Sequence, residues 1–292
     1  MSYVFSPMSS IYTPLPPLRQ VISRHGLVAR KSLGQHFLLD LNLIRRIVRA
    51  ADIRQGVSVL EVGAGPGGLT RALLDSAASR VVAVERDIRA SAALRELVPG
   101  SNGRLTLIEG DALKIETAAL VDSPAQIVAN LPYNIATQLL LNYLPAIGKF
   151  KRLTLMFQRE VAERIVAKPG NKRYGRLSVI VQWLCEVRVL FDVPARAFTP
   201  EPKVVSSVVE LLPRVQPLGI ACMPSLERVT AATFGQRRKM LRTSLKKLCP
   251  DSLSLLETAG LSPTARPEEV SVAGFCSLSR ALDAGAGSRT IG

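Results

Sequence analysis

Val57-Ser58-Val59-Leu60-Glu61-Val62-Gly63-Ala64-Gly65-Pro66-Gly67-Gly68 decides the fold. The first six residues are apolar except for Ser58 and Glu61 and predict a strand buried on both faces, which the glycines close. A helix is expected from about Leu69 to Ala77. A strand that passes through a glycine turn into a helix opens a βαβ unit. Glycines at that turn let the backbone bend sharply and approach a ligand that a Cβ would push away.

Reading outward, the alternation continues as a parallel sheet with crossover helices requires. Upstream, Asp40 is placed to cap a helix carrying Leu41, Ile44, Ile47 and Val48 on one side. Downstream, strands are expected at Val81–Val84, closed by Glu85, at Leu105–Ile108 and at Gln126–Ala129, with a helix near 87–97. Next come a helix near 134–144, a strand near 152–158, a helix near 159–167 and β-rich runs at Val187–Phe191 and Val204–Leu211. Beyond Pro213 and Pro217 the β-branched runs stop, which predicts a domain boundary near 214 and a small helical domain after it. There is no internal repeat.

The chain has 292 residues, 47% of them hydrophobic, enough for a sizeable core in one large or two unequal domains. With 38 Lys and Arg against 23 Asp and Glu the formal charge is +15, and it is unevenly placed. Residues 1–50 carry +6, residues 149–176 carry +7, and residues 234–247 hold six bases and no acid, whereas 51–148 sum to −2. That layout predicts a near-neutral catalytic half beside basic surfaces that meet a polyanion; solvated helix faces are the alternative for any one run. The basic blocks are expected to converge on one cleft. Cys185, Cys222, Cys249 and Cys276 are never closer than 27 residues, so no paired metal or redox motif exists, and they read as thiols in a reducing compartment. Two histidines, His25 and His36, nearly exclude histidine triads and histidine-rich metal sites. No apolar run reaches 18 residues, so no membrane span is expected. Residues 1–18 lack the charges of a signal or transit peptide.

Four candidate contacts fall at the ends of successive strands. Gly63 and Gly65 belong to a Gly-x-Gly-x-x-Gly spacing that serves nicotinamide and S-adenosylmethionine sites alike, and also occurs as a purely structural turn. Glu85 lies 22 residues after Gly63, where a carboxylate can accept both hydroxyls of a ribose; a solvated strand end is the alternative. Asp111 can accept from an adenine amino group, cap a helix, or do both. Asn130-Leu131-Pro132-Tyr133 discriminates best. The Asn130 side-chain carbonyl and the adjacent main-chain carbonyl can accept the two N–H groups of an exocyclic amine, Pro132 holds the turn, and Tyr133 offers a face for a base. Held so, the amine lone pair is directed at an electrophile and the charge that develops on nitrogen is accommodated.

Together with Lys31-Ser32-Leu33-Gly34-Gln35-His36-Phe37-Leu38, Gly110-Asp111-Ala112 and Phe198-Thr199-Pro200-Glu201-Pro202-Lys203-Val204, these motifs occur in the order found in the ribosomal RNA adenine N6-dimethyltransferases. The sequence resembles that family over roughly residues 25 to 250, and most resembles its small-subunit, kasugamycin-resistance branch. The resemblance implies an α/β Rossmann-like S-adenosylmethionine-dependent methyltransferase sheet with a small all-helical C-terminal domain. It divides the chain into a flexible extension (1–20), a methyltransferase domain (21–214) and a helical RNA-binding domain (215–292), with Arg237, Arg238 and Lys239 in a basic lid. S-adenosylmethionine would be held by Gly63, Gly65, Glu85, Asp111 and Asn130, and closed in by Gln35, His36 and Leu38; many members carry Asn where His36 stands. Asn130 and Leu131 would hold the target N6, and Tyr133 and Phe198 would sandwich the adenine; without the resemblance, a core aromatic is the better account of Phe198.

The implied activity is dimethylation of two adjacent adenosines in the 3′-terminal hairpin of 16S rRNA during small-subunit assembly. A cytoplasmic monomer with no metal and no membrane contact is expected. A large-subunit methyltransferase, an assembly factor with dispensable catalysis, and a nicotinamide dehydrogenase are the alternatives, the last disfavoured by Asn130–Tyr133.

Overall fold

A computed structural model describes residues 15–287. The chain opens with α1 (Leu18–Arg24) and α2 (Leu41–Ala51). The Asp40 carboxylate caps α2 by accepting from the N–H groups of Asn42 at 2.8 Å and Leu43 at 3.1 Å. Strands and helices then alternate: β1 (Ser58–Val62), α3 (Gly68–Leu74), β2 (Arg80–Glu85), α4 (Ile88–Arg95), β3 (Leu105–Glu109), β4 (Ala125–Asn130), α5 (Ala136–Tyr143) and β5 (Phe150–Gln158). After α6 (Arg159–Val166) and α7 (Arg176–Leu184) come β6 (Cys185–Val193) and β7 (Ser206–Pro213). The remainder is helical: α8 (Met223–Phe234), α9 (Leu241–Ser244), α10 (Ser252–Thr258) and α11 (Val272–Gly287). The strand ends lie within two residues of those expected from the sequence.

The seven strands form one sheet in the order β3-β2-β1-β4-β5-β7-β6, parallel from β3 to β5, with β7 antiparallel to both neighbours. Successive side chains of a strand point to opposite faces, and here each face meets its own core. Leu60, Val82, Ile127, Leu153 and Leu211 pack under α5, α6 and α7. Val59, Val81, Val128, Met156 and Val208 pack on the other face with α2 and α3. Burial on both sides is why β1, β2 and β4 read as almost unbroken apolar runs. Gly68 brings the first helices close: a Cβ there would lie 2.9 Å from Leu18 and 3.1 Å from Ile44.

Two expectations need refinement. Of the extension assigned to residues 1–20, positions 1–14 lie outside the described residues, but Leu18 is buried in α1 against the second core. The boundary near 214 divides the chain but not the packing. α7, to which the sequence assigns no element, puts Leu177, Ile180 and Val181 into the sheet core and Val179 and Trp183 into a third core with α8 and α11. A helix buried around most of its circumference lacks the apolar stripe that reveals a surface helix. No described helix is long and apolar enough to cross a membrane.

Candidate active site

The strand order reverses between β1 and β4, and in open α/β sheets ligands bind beyond the carboxyl ends at that point. A cleft lies there, and every sequence-assigned cofactor residue lines it, together with Leu131, Pro132 and Tyr133. Gly63 and Gly65 hold φ of +74° and +54°, the left-handed region that favours glycine. A side chain at Gly63 would also press on the Pro132 ring at 3.1 Å, so the Asn130–Tyr133 turn needs the bareness of the glycine turn.

Two buried carboxylates form the floor. Glu61 stands opposite Ala83 in register, which puts Glu61 and Glu85 on the same face of neighbouring strands. The Glu61 side chain accepts from the Thr70 hydroxyl at 2.7 Å and from the Thr70 backbone N–H. Burial, reinforced by the Glu85 charge and opposed by Thr70, pushes Glu61 up to about 8. Glu85 accepts from Gly65 N–H at 2.8 Å on Oε2 and from the N–H groups of Arg86 and Asp87 at 2.8 and 2.7 Å on Oε1. Burial still outweighs these bonds and holds its carboxyl above the usual range. Glu85 therefore fixes the glycine turn as well as facing the cleft. Sequence reasoning quoted Glu61 but gave it no role, because an acid in an apolar strand is equally compatible with packing against a hydroxyl.

At the rim, Asp111 accepts from Leu113 N–H at 3.1 Å within a turn that opens no helix, so it is not a helix cap, and it pairs with the exposed Arg86 at 3.2 Å. The amide of Gln35 is committed to the protein at both ends: its oxygen accepts from Arg30 N–H at 3.0 Å and its nitrogen donates to Asp87 at 3.0 Å. Asp87 is itself a residue the sequence did not single out. Burial pushes its carboxyl up, but hydrogen bonds from Arg89 and Gln35 prevail and hold it at about 2. The segment that closes the cleft is thus anchored by an ionised carboxylate.

Above the floor, the Asn130 amide nitrogen donates to the His36 carbonyl at 3.4 Å, which leaves its side-chain oxygen as the acceptor facing the cleft. The imidazole of His36 lies over the Tyr133 ring, centroids 5.3 Å apart and planes 27° apart, with Nδ1 paired to the Pro200 carbonyl at 2.8 Å. Phe198 lies apart from these residues. The structure buries it at 3% exposure in the second core, paired in register with Leu38, and it does not line the cleft. The ring found on Tyr133 is His36, and the Phe198 segment contributes the Pro200 carbonyl that holds it.

The basic blocks converge in part. Arg237 donates to Glu268 at 2.7 Å, to the Tyr174 carbonyl at 2.6 Å and to the Asn171 carbonyl at 3.2 Å, so it is a fastener between the 168–176 loop and the helical region, not a free cation. It brings Lys168 and Lys172 beside Arg238 and Lys239, all exposed and in no ion pair among the described residues. Lys149 and Lys151, by contrast, flank the start of β5 at the end of the sheet opposite the cleft, and Arg45, Arg46 and Arg49 are exposed on α2. Among the described residues no cluster of His, Cys, Asp and Glu is placed to hold a metal ion.

The chain is 61% identical over 271 residues, 92% of its length and 93% of the relative's, to the ribosomal RNA small subunit methyltransferase A of Rhodospirillum rubrum. It is 56% identical, over 89% of its length and 99% of the relative's, to the protein of that name in Caulobacter vibrioides. Among solved structures it superposes on a dimethyladenosine transferase from Plasmodium falciparum with a TM-score of 0.74 at 26% identity, covering 86% of this chain and 98% of that one. It also superposes on the 23S rRNA methyltransferase ErmE with a TM-score of 0.64 at 28% identity, covering 85% and 99%. The family model for ribosomal RNA adenine dimethylase matches residues 26–284, nearly the whole described structure, and the chain belongs to that family.

Proposed function

We propose that this protein transfers methyl groups from S-adenosylmethionine to N6 of adenosine in ribosomal RNA, two to each of two adjacent adenosines in the 3′-terminal hairpin loop of 16S rRNA. It acts as a cytoplasmic monomer on the immature small ribosomal subunit. The observation that carries this reading is the stacking of layers in one cleft: buried carboxylates at the floor, Asn130 above them with its amide oxygen unpaired among the described residues, and Tyr133 at the mouth.

The residues fit the cofactor. S-adenosylmethionine carries an ammonium, a sulfonium and a carboxylate, a net cation, and Glu61 and Glu85 are buried acids with no ion-pair partner among the described residues. The glycine turn admits the backbone approach that the cofactor needs, and Glu85 and Asp111 stand at the ends of adjacent strands for its ribose and adenine. When bound, it supplies an electrophilic methyl on sulfur. The chain's own residues supply position. The Asn130 side-chain oxygen accepts one N6–H and the Leu131 carbonyl the other, which directs the nitrogen lone pair at the methyl. No histidine base is needed, because the water-exposed mouth can take the proton once N6 is alkylated. Such positioning accounts for at most roughly 7 to 11 kcal/mol of barrier. A loop adenosine is favoured because unstacking it costs least.

Support for the small subunit comes from 61% identity to a small-subunit methyltransferase against 28% to a 23S enzyme. The test is Asn130→Ala, assayed with labelled cofactor on purified immature small subunits and on large subunits, with dimethyladenosine mapped in the product. Transfer to the small subunit alone is expected, abolished by the substitution with cofactor affinity nearly intact. Turnover surviving within tenfold would sink the site assignment, and labelling of the large subunit would sink the substrate.

A further inference from the structure

The ring of Tyr133 is held at three points. Its backbone follows Pro132, its face carries the His36 imidazole, and its hydroxyl meets Ser206 Oγ at 2.5 Å. Ser206 is fully buried at the start of β7, where it pairs in register with Gln158 of β5 and Val193 of β6. It therefore belongs to the most rigid part of the fold, the sheet, and it does not line the cleft. A serine hydroxyl in that place has no packing role that alanine would not fill, and Tyr133 is its only side-chain hydrogen-bond partner among the described residues.

A base stacks well on an aromatic ring only when the two planes are parallel, and a half-buried tyrosine turns about two side-chain torsions. Fixing its far end fixes the plane. We infer that Ser206 is a positioning residue for methyl transfer: through its hydroxyl it sets the plane of the Tyr133 ring on which the target adenine stacks. This rests on the stacking role given to Tyr133 above. The contribution belongs to the transfer step, because Ser206 touches neither the glycine turn nor the buried carboxylates.

The full-length protein would be compared with Ser206→Ala, Tyr133→Phe, the double variant, Ser206→Thr and Tyr133→Ala. Three quantities are read: kcat and KM on immature small subunits, cofactor affinity by calorimetry, and the fluorescence of an RNA hairpin with 2-aminopurine at the target position. That base lacks the N6 amine, so its quenching reports stacking alone. Losing one neutral hydrogen bond should lower kcat about three- to tenfold. Ser206→Ala and Tyr133→Phe should each do so with cofactor affinity unchanged within about twofold and quenching weakened. The double variant should be no worse than either single one, and Ser206→Thr should restore the rate. Additive losses, or a Ser206→Ala enzyme with wild-type kcat and quenching, would overturn the inference. If Tyr133→Ala keeps full activity, the stacking role itself fails; if it is inactive while Ser206→Ala and Tyr133→Phe behave as wild type, only the role of Ser206 fails.

Discussion

Replacing Glu61 by Gln should make the protein more stable at mildly alkaline pH and weaker at binding its cofactor. Glu61 is 1% exposed, accepts from Thr70 at 2.7 Å and shares a face with Glu85. Burial raises its carboxyl from the ordinary 4.5 to about 8. A carboxyl raised in the folded state favours folding while protonated. Its contribution is complete below about pH 4.5 and is lost as pH climbs toward 8. At about 1.36 kcal/mol per unit, a rise of more than three units amounts to a few kcal/mol, and relaxation around the ionised group leaves on the order of 2 to 4. Glutamine preserves the shape and the acceptor for Thr70 but cannot ionise. Urea unfolding of wild type and variant from about pH 5 to pH 8.5 should give matching stabilities at the acid end and a gap of that size, favouring the variant, at the other. Effects of the other titrating groups, apart from Glu85, which is coupled to Glu61, cancel in the difference. A cation bound against the floor should relieve the cost, so saturating S-adenosylmethionine should flatten the wild-type slope and have a smaller effect on the variant. A variant-minus-wild-type difference that stays constant with pH would refute the premise that Glu61 ionises within this range.

Two other outcomes follow from the packing and the charge layout. Arg237→Ala removes an ion pair with Glu268 and hydrogen bonds to the carbonyls of Tyr174 and Asn171, and should cost about 2 kcal/mol, visible as a drop of a few degrees in thermal unfolding. Arg237→Lys should recover only part of this, since an ammonium cannot reach three acceptors in one plane. Neutralising Lys172 and Lys239 together should weaken binding of ribosomal RNA without changing cofactor affinity. It should also reduce the slope of log affinity against log salt by about 1.4 to 1.8, the value for two phosphate contacts; an unchanged slope would remove this surface from the RNA interface.

The sheet was legible because its strands are buried on both faces. Continuous apolar stretches such as Val81–Val84 have few other fates, and the glycines that end β1 mark the crossing into α3. The site was legible for a related reason: Gly63, Glu85, Asp111 and Asn130 each terminate a strand, so a parallel sheet gathers them at one edge. What escaped had no periodic signature. α7 is apolar around most of its surface and joins two cores. Ser206 looks like any serine in a strand until β7 is placed beside β5 within reach of Tyr133.

By itself the sequence determined the parallel αβ architecture and the position of the cleft along each strand, and it pointed to Asn130 as the holder of an amine. Local pattern suffices there, since strand burial and glycine turns are written in consecutive residues. Only the tertiary structure decided which side chains are spare. It buried Phe198 and set His36 on Tyr133, committed both ends of Gln35 to Arg30 and Asp87, turned Arg237 from a free cation into a fastener, and gave Glu61 no counter-charge among the described residues. The reason is physical: whether a polar group is available depends on the partners that distant segments bring to it, and no spacing along the chain records that.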